Sequence, residues 1–238
     1  MRTALMTAAL AVAVGLAPAH APAASAADAP RPQAQRQLDM GRTFGPETSG
    51  TVNAAPKVPK PRIITKAEWG GGESSGTMRA HRPTQLTLHH EGSAKPITAD
   101  HDVPKALKGL QKYGWDQKGW ADIPYHYMVD LNGNIYEARN PLMSGDTNTT
   151  YDPTGHMLVC VMGNFELQTP SEKQMASVAA LMAWLSDVYN IDPATLRGHK
   201  DYTPTACPGK YLQPYVASGF LEGEIRRALC AAYLGLAQ

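Results

Sequence analysis

The chain has 238 residues with 22 basic and 21 acidic side chains, a formal net charge of +1. That length accommodates one substantial domain with an appendage, or two small domains. The near-neutral balance provides no basic field to hold nucleic acid, so a nucleic-acid partner is not expected. Three cysteines are present, an odd number that leaves at least one thiol outside any intrachain pairing.

Residues 1–26 read as a secretory signal peptide: Arg2 supplies the charged start, Ala4 to Leu16 the apolar stretch, and Ala24-Ser25-Ala26 a small-residue cleavage site. Ala19-His20-Ala21 offers an earlier cut. The apolar run, about a dozen residues, is too short for a hydrocarbon core of about 30 Å, so no membrane span is expected after cleavage. A retained signal anchor is the alternative. Either way the mature protein works outside the cytoplasm. Residues 27–61 are rich in Ala, Pro, Gln, Gly and Thr and poor in large apolar side chains, the composition of a linker or propeptide. Within it, Ala55 to Pro61 carries three prolines and is expected as an extended, semi-rigid spacer. Residues 62–238 form the globular part, with no internal repeat.

Gln85 to His90 alternates between Pro83 and Gly92 and predicts a strand. Apolar residues at 103, 106, 107, 110 and 113 predict a helix, with Asp102 as N-cap and Pro104 in its first turn. Tyr125–Val129 and Ile135–Ala138 flank Asn132-Gly133, a hairpin signal. Met157 to Met162 is continuously apolar, as a buried central strand would be. Thr169-Pro170-Ser171-Glu172 predicts a helix start with Pro170 first in the helix and Glu172 closing a capping box; apolar positions 175, 178, 182, 185 and 189 continue it. A last helix is expected over roughly Gly219 to Leu234. Strands and helices interleave, so the expected class is α/β: a central mixed β-sheet flanked by helices in a single catalytic domain.

Two clusters could carry chemistry. His199 and Cys207 stand eight residues apart across a turn containing Pro204, a spacing that lets a loop bring imidazole and thiolate to one ion. His89-His90-Glu91 ends a predicted strand, where alternation puts His89 and Glu91 on one face and His90 on the other. Each cluster alone has a plainer reading, chance spacing in the first and a strand-end histidine bonded to a carboxylate in the second. His81, His101 and His156 lie in polar or turn contexts and read as ordinary surface or capping residues; His126 reads as a buried, hydrogen-bonded histidine. Trp69, Trp115 and Trp120 either pack or line a groove.

Taken together, five ordered segments resemble the N-acetylmuramoyl-L-alanine amidases related to peptidoglycan recognition proteins and phage-type lysozymes. These are Arg62–Gly70 (RIITKAEWG), Leu86–Gly92 (LTLHHEG), Asp122–Tyr127 with Asp130–Glu137 (DLNGNIYE), Gly163-Asn164-Phe165, and Gly198–Gly209 (GHKDYTPTACPG). The resemblance spans about Arg62 to Pro214.

It implies a Zn2+ ion held by His89, His199 and Cys207, with Tyr125 beside the metal and Thr205 where many members carry Lys or Thr. Three protein ligands leave one position for water, as catalytic zinc sites do. It further implies a secreted enzyme acting at the cell wall on peptidoglycan, at the amide between N-acetylmuramic acid and the stem peptide, with a monomer expected. The alternative is a peptidoglycan-binding module of the same fold without catalysis; non-catalytic relatives typically lose the cysteine that this chain keeps. The chain departs from the family pattern at three places. Glu91 replaces the usual Thr or Ser and is a candidate second catalytic group beside Tyr125 and Thr205; Pro124 replaces a Gly; and the loop 144–149 replaces a His-containing segment. Once Cys207 is assigned to metal, Cys160 and Cys230 remain as a disulfide or as two buried free thiols.

Overall fold

The computed structural model describes residues 55–236; the leader and the stretch from 27 to 54 lie outside them. The described chain runs through β1 (Ile63–Ile64), α1 (Lys66–Trp69), β2 (Gln85–His90), α2 (Val103–Tyr113), β3 (Tyr127–Val129) and β4 (Ile135–Glu137). It continues through β5 (His156–Val161), α3 (Glu172–Tyr189), β6 (Arg197–Gly198), α4 (Gln213–Ala217) and α5 (Phe220–Tyr233). The strands form one sheet in the order β1-β4-β3-β5-β2-β6. All neighbours pair parallel except β3 with β4, so the sheet is mixed, as expected.

Strand β5 is the centre because its residues His156–Val161 are all buried, between β3 and β2. A strand covered on both faces needs an apolar run rather than alternation. One face, with Leu86, Leu88, Met157, Val159 and Val161, packs under Val178, Leu181, Met182 and Leu185 of α3 and Leu221 and Ile225 of α5. The other carries Met128, Tyr136 and Cys160 against Trp69 and against Val103 and Leu107 of α2. Cys160 and Cys230 are free thiols. Cys160 faces the α2 side while α5 lies across the sheet, which rules out a bridge, and Cys230 is exposed rather than buried.

Local signals account for most element ends. Asp102 caps α2 by accepting the Lys105 N–H, with Pro104 in the first turn. The β3–β4 connection is built on Asp130, whose carboxylate accepts the N–H groups of Asn132 and Asn134 and the Tyr136 hydroxyl. Gly133 sits there at φ +81°, and a Cβ would come within 2.8 Å of the Lys173 carbonyl oxygen, so only glycine fits. Strand β3 begins at Tyr127 rather than Tyr125, which leaves Tyr125 and His126 on the approach to the sheet. Helix α3 starts two residues later than predicted. Ser171, not Thr169, is the N-cap, because its hydroxyl accepts the Gln174 N–H while the Gln174 side chain accepts the Ser171 N–H.

The docking of Val58 was not legible in the sequence, whereas the expected burial and hydrogen bonding of His126 are met. In the proline-rich segment Val58 is 6% exposed and belongs to the core, while the N–H groups of Lys57 and Val58 bond to Asp187 of α3 at 2.6 and 2.8 Å. Asp187 also accepts the Tyr233 hydroxyl from α5. His126 is a buried tie: its ring nitrogens meet the Met143 carbonyl and the Leu158 N–H, both at 2.9 Å. The Leu158 N–H needs an acceptor at Nδ1, so the ring is neutral with its proton on Nε2. Burial pushes its pKa down to about 3.

These contacts give two expectations. Removing residues 1–60 costs about 2 kcal/mol more stability than removing residues 1–54, from one buried valine and two hydrogen bonds; equal urea midpoints for the two truncations would contradict the docking. For His126 the folded pKa lies below the unfolded one, so its contribution is complete above about pH 6.5 and is lost as pH falls toward 3. With chelator present, His126→Gln is less stable than the parent at pH 7. Its stability falls less steeply between pH 6 and 4, by about 1 kcal/mol per pH unit; parallel pH profiles for the two proteins would sink this assignment.

Candidate metal centre and its cleft

The site forms at the carboxyl ends of the parallel strands, where open α/β sheets bind ligands. Strand β2 pairs with β6 in the register Thr87 with Arg197 and Leu88 with Gly198. One residue further along both chains stand His89 and His199, with ring centroids 4.6 Å apart. Gly198 lets the Gln213 side chain and the Pro208 ring come close to this short strand, since a Cβ there would lie 2.0 Å from Gln213 Oε1 and 3.0 Å from Pro208 Cδ. After His199 the chain makes a turn and returns, and the Lys200 N–H bonds to the Cys207 carbonyl at 2.9 Å. Gly209 (φ +101°) presses on the Phe165 backbone with room for no Cβ, which fastens the returning loop to the end of β5.

This folding brings together the three predicted donors. One donor atom from each of His89, His199 and Cys207 lies within 4.8 Å of the others, and all three residues are buried. The Cys207 Sγ stands 3.6 Å from His89 Nδ1 and receives the His90 N–H at 3.3 Å. Burial raises the Cys207 thiol to about 12 and lowers His199 to about 4, and burial with neighbouring histidines holds His89 well below the usual imidazole range. Left to themselves, the three groups are neutral donors facing a common point. A divalent cation there would convert the thiol to thiolate. Two imidazoles and one thiolate are a donor set zinc takes, so the residues fit such an ion.

Around this point lies a cleft of about 150 Å3 that is lined by Tyr125, Glu91, Thr205 and Trp120, among others. Tyr125 has its ring centroid 5.1 Å from that of His89, and its carbonyl accepts the Arg139 N–H. Burial first, then the nearby cysteines, raises its phenol well above the usual range, so it stays an O–H donor. The Thr205 hydroxyl accepts the Cys207 N–H at 3.2 Å. Glu91 presents a buried carboxylate oxygen, Oε2, that no protein group satisfies, and burial raises its pKa. Pro124 lines the cleft beside Tyr125, and its carbonyl accepts the Asp146 N–H from the facing loop. Of the three tryptophans weighed for a groove, Trp120 lines the cleft, while Trp69 donates to the Glu137 carbonyl and Trp115 to the Ala121 carbonyl.

Sequence reading missed three contributors. Arg139 is buried and donates to the carbonyls of Asp122, Ile123 and Ser144 and to the Asp146 carboxylate, joining the segment before Tyr125 to the loop across the cleft. Thr149 and Tyr151 reach the two histidines from that same loop. Nothing in their spacing marks them; only the β5 pairing that brings the loop over the site reveals them. His156 also departs from the surface role expected of it: it is buried, bonded to Thr87 at 2.8 Å and packed edge-on against Tyr202.

Known proteins share this arrangement of chain. Residues 79–210 match the family model described as N-acetylmuramoyl-L-alanine amidase. Peptidoglycan-recognition protein SC2 of Drosophila simulans is 30% identical over 152 residues, 62% of this chain and 80% of that protein. Peptidoglycan recognition protein 1 of Mus musculus is 23% identical over 158 residues, covering 66% of this chain and 86% of that one. Among solved structures, Drosophila peptidoglycan recognition protein SD superposes with a TM-score of 0.60 at 23% identity, over 66% of this chain and 94% of that one. The N-acetylmuramoyl-L-alanine amidase LysC of Clostridium intestinale does so with 0.55 at 23% identity, over 68% and 97%. These structural likenesses carry the fold, and the family match spans more than half of the chain: the protein belongs to the N-acetylmuramoyl-L-alanine amidase family.

Proposed function

We propose that the protein is a secreted zinc-dependent amidase that hydrolyses the amide between N-acetylmuramic acid and the stem peptide of peptidoglycan. The convergence of His89, His199 and Cys207 on one buried point at the head of an open cleft carries this reading. Those residues would hold the ion. A zinc ion bound there would supply a Lewis acid for the scissile carbonyl and lower the pKa of a bound water.

The remaining work belongs to the chain. Tyr125 keeps its proton and donates a hydrogen bond to the carbonyl oxygen as charge gathers on it. Glu91 Oε2, without a protein partner, accepts a hydrogen bond from the attacking water and so orients it. Thr205 accepts the Cys207 N–H, which fixes the metal loop, and its own O–H is free to meet the substrate. Trp120 and the Asp146–Thr149 loop line the cleft that would receive glycan and peptide. Export rests on the leader, residues 1–26, and the folded domain reaches back past Arg62 to include the docked Lys57 and Val58.

A second reading is a peptidoglycan-binding module without catalysis, favoured by relatives that are named for recognition. Digestion of purified sacculi separates the two. The amidase releases stem peptides with a new N-terminal amine and leaves a free lactyl carboxylate on muramic acid, seen by mass spectrometry. Chelation stops release and zinc restores it. Cys207→Ala abolishes release while the protein still unfolds cooperatively; undiminished cleavage by that variant would overturn the metal assignment. Tyr125→Phe, with zinc content unchanged, lowers kcat by about 100- to 1,000-fold, the usual loss for one oxyanion donor. A Tyr125→Phe enzyme with parental kcat would remove the phenol from the chemistry.

A further inference from the structure

The two histidines each turn their outer nitrogen to a hydroxyl on one loop. His199 Nε2 lies 2.8 Å from Thr149 Oγ1, and His89 Nε2 lies 3.3 Å from the Tyr151 hydroxyl. Both partners come from the connection between β4 and β5. We propose that Thr149 and Tyr151 are positioning residues that grip the imidazoles by Nε2 and so turn both Nδ1 atoms toward Cys207. The inference rests on the metal reading given above.

An imidazole that offers its Nδ1 lone pair to a cation must carry its proton on Nε2, and a buried N–H needs an acceptor. His89 Nδ1 already faces the Cys207 Sγ at 3.6 Å. With Nε2 of His199 taken by Thr149, Nδ1 is the nitrogen left for the same point.

The hydroxyls are themselves held. Thr149 Oγ1 is 2.8 Å from Thr147 Oγ1, so it can accept from His199 and pass its own hydrogen to Thr147, whose oxygen also receives the Thr149 N–H. The Tyr151 ring is stacked on Tyr202, with centroids 5.4 Å apart and planes 15° apart, and meets His156 edge-on at 5.1 Å. Tyr202 is anchored in turn by its hydroxyl bond to Gln85 at the start of β2. Wedged this way, Tyr151 has little freedom except at its hydroxyl. The two acceptors are therefore fixed before any ion arrives.

The test measures metal binding rather than turnover. Zinc affinity is obtained by competition with a chromophoric chelator, and the visible spectrum is recorded for the cobalt-substituted protein. Thr149→Val and Tyr151→Phe keep shape and remove only the hydroxyl. Each is expected to weaken zinc binding about 10-fold, and the pair about 100-fold, with displaced cobalt bands. Thr149→Ser restores affinity and spectrum, which a role in packing through the methyl group would not allow. Parental affinity and spectrum in the Val and Phe variants, including any case where only KM for peptidoglycan rises, would overturn the assignment and leave the metal reading intact. Failure of the parent protein to take up zinc one-to-one would overturn both. If Tyr151→Phe does not fold, the comparison of Val with Ser at 149 decides alone.

Discussion

The site depends on one piece of backbone pairing, the parallel register of β2 with β6. Leu88 opposite Gly198 makes His89 and His199 neighbours at the same level of the sheet. No side-chain interaction needs to bring them together, because parallel strands place equivalent positions side by side. The register holds because Gly198 admits Gln213 against its bare Cα and because Asp201 accepts the Gly198 N–H. A slip of one residue would send His199 to the opposite face, where α3 and α5 form an apolar core. The metal point is thus a consequence of sheet geometry, and the Cys207 loop is added to it by its own contacts with Phe165 and Lys200.

Desolvation decides the chemical state of the donors that this geometry gathers. Burial, the largest cause in each case, raises the thiol, lowers the imidazoles and keeps the Tyr125 phenol protonated. Each shift moves its group toward neutrality, so the donors face one another without charge. The same burial makes a neutral, preformed set of lone pairs costly to leave without a partner. A cation whose charge drives the thiol proton off reverses both effects at once.

Much of this was legible in the chain and some was not. The continuous apolar run 157–162 marks β5, since burial on both faces needs such a run, and the alternation of QLTLHH between Pro83 and Gly92 marks β2. Capping at Asp102 and the Asn132-Gly133 turn are local chemistry and were found. The start of α3 was misplaced because Thr169 and Ser171 both satisfy the cap pattern, and only the buried Gln174, bonded to the Met162 carbonyl, selects Ser171. Strand β6 is two residues long and has no periodicity to detect, so His199 and Cys207 could be paired only by spacing. Val58 escaped notice because one valine among three prolines does not look like core; Asp187, far along the chain, makes it so. Arg139, Thr149 and Tyr151 owe their importance to contacts between segments, which composition and spacing do not record.

Charge around the cleft follows from the same accounting. Among the described residues that line it, the carboxylates are Glu91 and Asp146. Asp146 is neutralised by the buried Arg139 guanidinium, which also fixes the backbone leading to Tyr125. Glu91, the residue directly after β2, is left as the acid whose Oε2 has no protein partner, and it lines the cleft together with His89. In the proposed zinc form, a dication balanced by one thiolate leaves a single positive charge, and Glu91 is placed to offset it. A Thr or Ser at that position, as in many relatives, would leave the charge to the substrate and solvent. In the proposed amidase, the acid at 91 would oppose the metal charge, and with a neutral hydroxyl at 205 the polarisation of the scissile carbonyl would be left to the Tyr125 hydroxyl and the ion.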